Sequence, residues 1–316
     1  MIRVGIPRSL AYFKYFPLWQ TFFESLGAKV VFSLPTNPLI VEQGIKSVVD
    51  EACLPVKVYF GHVQYLKDKV DYIFVPRLVS VERKEFTCPK FLGIPDMLKA
   101  SIPDLPNLIA PTIDLTKQDK YLWKKVWEVG RLFSSNPLKV SLAWQKGLSE
   151  LSTYKQTWLE EEIPAQLNIY YKPTYSQSLK VVLLGHEYII YDQYLSMYLI
   201  EKMAKLNIKV VTTEMLSPWI INKEAKSYPK RIFWEFSKNT LGSVFYYSKQ
   251  EEIAGFILMS SFGCGPDSMT ASIIQHYLKG VKDKPLLNLT IDEHTGEAGI
   301  NTRLEAFYDL LMRRVG

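Results

Sequence analysis

The chain has 316 residues, 47% hydrophobic and 22% charged, and its 38 basic and 32 acidic side chains give a net charge of +6. One core seldom grows beyond about 250–300 residues, so two domains are expected, and the apolar content excludes a disordered chain. No apolar run reaches the roughly 20 residues of a spanning helix, so no membrane span is expected. Met1–Pro7 reads as a first strand rather than a signal peptide, which makes a cytoplasmic protein the expectation. Short basic groups such as Lys124-Lys125 and Lys230-Arg231 lie among acidic neighbours, so solvated helix faces are a better reading than nucleic-acid binding.

In chain order, Val4–Ile6 reads as a strand and Ala11–Leu26 as an amphipathic helix, stopped by Gly27. The aromatic residues Tyr12, Phe13, Tyr15, Phe16, Trp19, Phe22 and Phe23 recur at helical spacing, which predicts a core or an interface. Ala28–Phe32 is a second strand, Asn37–Ala52 and Pro55–Leu66 are helices, and Asp71–Val75 and Asn107–Ala110 are further strands. Residues 117–163 carry no strand signal and predict a helical insert, followed by a linker over Tyr170–Ser178. The alternation then restarts. Strands are expected at Leu179–Leu184, Ile208–Thr213, Ile253–Met259 and Pro285–Thr290. Helices are expected at Tyr188–Leu206, over most of 217–250, at Asp267–Leu278 and at Ile300–Arg314. This pattern predicts an α/β protein of two Rossmann-like parallel-sheet domains, 1–116 and 179–316, joined by a helical segment and linker over 117–178.

Three cysteines, an odd number, make a disulfide framework improbable. Each is followed within two residues by proline: Cys53-Leu54-Pro55, Cys88-Pro89 and Cys264-Gly265-Pro266. Proline favours the first turn of a helix, so Cys53 and Cys264 are expected at helix N-termini and Cys88 at a shorter turn. The positive end of a helix lowers a thiol's pKa and suits a metal-bound thiolate. Three readings stay open on this local evidence. The thiols are unrelated buried residues; or they form a zinc site with a fourth ligand from His62, His186, His276 or His294; or they hold an iron–sulfur cluster with one iron open.

Several segments together resemble one family. They are Val49–Lys57, Val75-Pro76-Arg77, Phe86–Lys90, Phe262–Asp267, Thr290–Gly299 and the tail Thr302–Phe307. The chain resembles the DUF2229 family related to acyl-CoA dehydratase activases, and more distantly the iron–sulfur subunits of 2-hydroxyacyl-CoA dehydratases and benzoyl-CoA reductases. The resemblance implies flavodoxin-like halves with a [4Fe–4S] cluster at their interface, ligated by Cys53, Cys88 and Cys264 and open at the fourth iron. Three thiolates match one cubane, or half of a double-cubane cluster completed by a partner. The resemblance also implies an ATP-dependent activase as electron donor, a homodimer or a related cluster-binding subunit, and an acyl-CoA or other small substrate. No GxxxxGK[ST] loop is found in the sequence, so ATP hydrolysis is expected on the partner. The alternatives are a non-catalytic electron-transfer or scaffold subunit, and a zinc-binding or metal-free partner-binding module.

Asp292-Glu293-His294 follows an expected strand, and Glu293 and His294 are candidate acid–base residues, against a bland reading as a cap for the last helix. Arg77, Lys57 and Lys90 are candidates to offset cluster charge, against surface salt bridges. His62 and His276 sit in helical patterns and read as structural, whereas His186, just after a strand, stays a weaker site candidate.

Overall fold

A computed structural model describes residues 1–82, 85–117, 119–169, 179–282 and 284–315; the expected linker 170–178 lies outside them. Among the described residues there are ten strands and twelve α-helices, and all strands named below pair in parallel. The α/β class is therefore as the alternation predicts. Two compact units are present: Met1–Gln156 with Phe233–Glu235, and Thr157–Ile232 with Phe236–Gly316. No helix among the described residues is long and apolar enough to cross a membrane.

The first unit runs β1 (Arg3–Ile6), α1 (Tyr12–Ser25), β2 (Lys29–Phe32), α2 (Pro38–Ser47), α3 (Leu54–Leu66) and β3 (Tyr72–Phe74). It continues through β4 (Arg77–Ser80), α4 (Pro89–Ser101), β5 (Asn107–Ile109), β6 (Thr112–Asp114), α5 (Asp119–Gly130) and α6 (Pro137–Leu159), the last three residues of which count with the second unit. Its main sheet has the order β2-β1-β3-β5, with β4-β6 as a separate pair. Val4, Ile6 and Ile73 are fully buried at its centre, as expected of parallel strands covered on both faces. The aromatic side of α1 packs inward through Tyr12, Phe13, Phe16, Phe22 and Phe23, while Tyr15 and Trp19 line an apolar cavity of about 240 Å³. Gly27, at φ +91°, ends that helix in the left-handed region that glycine tolerates.

The second unit runs β7 (Leu179–Leu184), α7 (Glu187–Ile190), α8 (Leu199–Lys205), β8 (Ile208–Thr212), α9 (Pro218–Ala225) and α10 (Glu235–Tyr247). Then follow β9 (Ile253–Ser261), α11 (Gly265–Lys279), β10 (Leu286–Ile291) and α12 (Glu297–Val315). The sheet order is β10-β9-β7-β8, and Val181–Leu184 are fully buried. In each unit the first strand lies between the second and third, so the winding direction reverses beside it. Open sheets bind ligands at such a reversal, outside the carboxyl ends of the strands.

Several local expectations need correction. The helix expected over Tyr188–Leu206 is interrupted, because Met197 and Tyr198 take left-handed φ values of 52° and 57°. Asp192 Oδ1 accepts from the amides of Tyr194 and Leu195, both at 3.1 Å, and closes a turn in the gap. The helix expected over 37–52 stops at Ser47, where Val48 turns extended. Two three- and four-residue strands, β4 and β6, had no visible pattern, and Cys88 starts a full 13-residue helix rather than a short turn.

Candidate functional site

All three cysteines occupy the position immediately before a helix of 13 or more residues: Cys53 before α3, Cys88 before α4, Cys264 before α11. Pro55, Pro89 and Pro266 lie in the respective first turns, where a missing N–H costs nothing. The cysteine carbonyls accept from the first-turn amides: Val56 (2.9 Å) and Lys57 (3.2 Å) to Cys53, Phe91 (2.9 Å) to Cys88, and Ser268 (3.1 Å) to Cys264. Each thiol is half-buried. A helix N-terminus carries roughly half a positive charge from its open amides, which favours a thiolate there. Soft sulfur ligands with this charge compensation are a donor set that fits an iron–sulfur cluster.

In the first unit, Arg77 opens β4 and is committed to the helix that Cys88 begins. Its Nη2 lies 2.7 Å from Asp96 Oδ2, and its Nη1 donates to the Leu92 carbonyl. Lys57 is buried in α3, and Lys90 is half-buried in the first turn of α4. The strand-to-helix loop before Cys88 is braced from both sides. Thr87 donates from its amide to the Val79 carbonyl (3.1 Å) and from Oγ1 to the Leu78 carbonyl (2.6 Å). Phe86 stacks on Phe233, centroids 4.8 Å apart, and its carbonyl accepts from the Glu235 amide at 3.1 Å. His62 is fully buried in α3, with Nε2 3.0 Å from Thr36 Oγ1, and burial lowers its pKa to about 3.

In the second unit, the reversal between β7 and β9 brings three donors together. His186 follows β7, Cys264 follows β9, and Asp267 lies in the first turn of α11. One ligand atom from each lies within 4.8 Å of the other two. His186 and Asp267 are 7% and 4% exposed, with His186 Nε2 2.9 Å from Asp267 Oδ1. The imidazole is stacked against both Tyr188 and Phe236. Gly185 is required just before it, because a Cβ there would stand 2.7 Å from the Met259 carbonyl oxygen. Gly263, at φ +75°, makes the left-handed step that turns the chain from β9 toward α11.

The candidate acid–base pair lies on the turn after β10. Glu293 and His294 are exposed, and Asp292 Oδ1 organises the turn by accepting from the His294 amide (3.0 Å) and Thr295 Oγ1 (2.7 Å). The Thr295 hydrogen bond, followed by that of the His294 amide, holds the Asp292 carboxyl below its usual range. Glu297 instead pairs with Lys202 at 2.7 Å. His276 is exposed in the last turn of α11. Asp267 was missed by sequence reasoning as a site residue. Its signal was the spacing from Cys264: three residues on, at the start of a helix, puts two side chains on one side of the first turn.

A family model described as the CoA enzyme activase uncharacterised domain, DUF2229, matches residues 3–216. The chain belongs to the DUF2229 family. The matched DUF2229 segment includes Cys53, Cys88, Arg77 and His186, while Cys264, Asp267 and His294 lie beyond it. A search of curated proteins finds no match.

Proposed function

We propose that this DUF2229 chain is an iron–sulfur component of a CoA enzyme activase system, in which Cys53, Cys88 and Cys264 hold one [4Fe–4S] cluster. The observation carrying this reading is that all three cysteines sit at helix N-termini with a first-turn proline. When bound, the cluster would supply low-potential one-electron chemistry and one iron without a protein thiolate. The chain's own part is to hold and shield it. Three helix N-termini offset the thiolate charge, and Arg77 fixes α4 so that Cys88 keeps its aim. Lys57 and Lys90 add positive charge near the ends of their helices. Glu293 and His294 are the groups that could hold or pass a proton to a small substrate such as an acyl-CoA.

ATP hydrolysis belongs, in this reading, to a partner activase that donates the electron. A second copy or a related subunit would complete a double-cubane arrangement. Without a substrate, the same chain would serve as an electron-transfer subunit.

Anaerobic purification followed by iron and sulfide analysis and electron paramagnetic resonance tests the proposal. The expected result is a brown protein with about four irons per chain, and loss of the intact cluster in Cys264→Ala. Colourless, metal-free protein after anaerobic reconstitution would overturn the reading. Unchanged iron in Cys264→Ala would overturn the ligand assignment.

A further inference from the structure

The cluster reading leaves one feature of the second unit unexplained. Asp267 Oδ1 faces His186, but Oδ2 is buried and has no hydrogen-bond partner among the described residues. A buried carboxylate oxygen without a donor is costly, and such an atom usually marks a missing partner. A cation would meet that need, and the oxygen stands beside a thiol and an imidazole that can bind one. We infer that His186, Cys264 and Asp267 form a mononuclear site for a divalent transition-metal ion of the zinc class.

The donor types support this choice. Imidazole, thiolate and carboxylate are the three side chains that bind zinc, and together they exclude calcium and magnesium, which take oxygen ligands. The charges close as well. One thiolate and one carboxylate balance a dication, so the loaded site is neutral and survives burial. The thiol proton leaves on binding. Bonds of about 2.0–2.3 Å set tetrahedral donors roughly 3.3–3.8 Å apart, so a set within 4.8 Å closes on an ion by about 1 Å of adjustment. Stacking on Tyr188 and Phe236 holds the imidazole in plane before the ion arrives. A thiol–imidazole–carboxylate catalytic triad would use the same three residues, but it would leave Oδ2 as lonely as before.

Cys264 serves one metal at a time, so the ion occupies the chain that lacks its cluster. This inference does not rest on the cluster reading, since all three donors belong to the second unit.

Cobalt titration of the full-length chain, stripped with chelator and kept reduced under argon, is the test. One equivalent of Co²⁺ should give thiolate-to-cobalt charge transfer in the near ultraviolet with tetrahedral ligand-field bands, and one equivalent of Zn²⁺ should displace it. The Cys53→Ser/Cys88→Ser double variant should bind unchanged. Cys264→Ser should lose the charge-transfer band, and Asp267→Asn, nearly isosteric, should bind at least tenfold more weakly, with His186→Ala weaker still and circular dichroism reporting the fold. Absence of the band overturns the inference. So does a band that needs Cys53 or Cys88, which would indicate a three-cysteine site. Undiminished affinity in folded Asp267→Asn does the same. Failure of the cluster reading shows separately, in the anaerobic iron analysis.

Discussion

At the scale of single residues, the carboxyl ends of the second unit's strands gather groups whose ionisation burial controls. Glu214, just beyond β8, is the clearest case. The Tyr191 hydroxyl lies 2.6 Å from its Oε2 and 2.8 Å from Thr212 Oγ1. Burial, followed by the charge of Glu187, pushes the Glu214 carboxyl up to about 7 from its ordinary 4.5. The unfolded chain therefore loses this proton above about pH 4.5, while the folded chain keeps it to about pH 7. Stability consequently falls as pH rises through that window, by roughly 1–3 kcal/mol. Glu214→Gln should flatten the slope and raise the urea midpoint at pH 8; an unchanged slope between pH 5 and 8 would show that Glu214 is ionised throughout. Residue-scale information divided sharply in its legibility. The helix-start positions of Cys53 and Cys264 were written in the next two residues, because proline acts locally, whereas the full helix after Cys88 was not. The meeting of His186 with Asp267 was not, because it depends on β7 and β9 lying side by side, which no neighbouring residue encodes.

Among the elements, the pair α2 and α3 shows how closely backbone packing sets the position of a thiol. A Cβ added at Gly44 would stand 1.9 Å from the Lys57 carbonyl oxygen, and one at Gly61 would stand 1.8 Å from that of Ile40. Both obstacles are backbone, which has no side-chain rotation to escape by. Gly61→Ala should therefore force the helices apart and cost about 2–3 kcal/mol in denaturant unfolding. Since Cys53 immediately precedes α3, the same change should also weaken the proposed cluster site; full stability would contradict the close-approach argument. The elements themselves were legible where periodicity ran long, as in α1, β7 and β9. They were hidden where it was short or broken. β4 and β6 offer too few residues for alternation to register, Pro95 sits inside α4 and imitates a stop, and two left-handed residues split α7 from α8.

Across the whole molecule, the restart of strand–helix alternation near Leu179 already announced two parallel-sheet halves, and both adopt the same strand order. What it could not announce was the return of Phe233–Glu235 to the first unit, because these residues fall within a stretch that reads as mostly helical. There Glu235 pairs with Lys14 at 2.6 Å and the Phe233 ring covers Phe86. A fragment ending at residue 156 lacks all of this and should unfold at a lower urea concentration than the first unit does in the intact chain. Equal midpoints would mean that the return segment contributes nothing.

The same segment imposes an order of events on synthesis. The ribosome must add roughly 80 residues beyond Gln156 before Glu235 exists, which takes about 4–16 s at bacterial-to-eukaryotic elongation speeds. Throughout that interval the nascent first unit presents Cys88 on a loop whose aromatic cover has not yet been translated. Under the proposed ligand assignment, loading of that thiol with metal is thereby tied to completion of most of the polypeptide, and the late arrival of three residues acts as a timer on assembly.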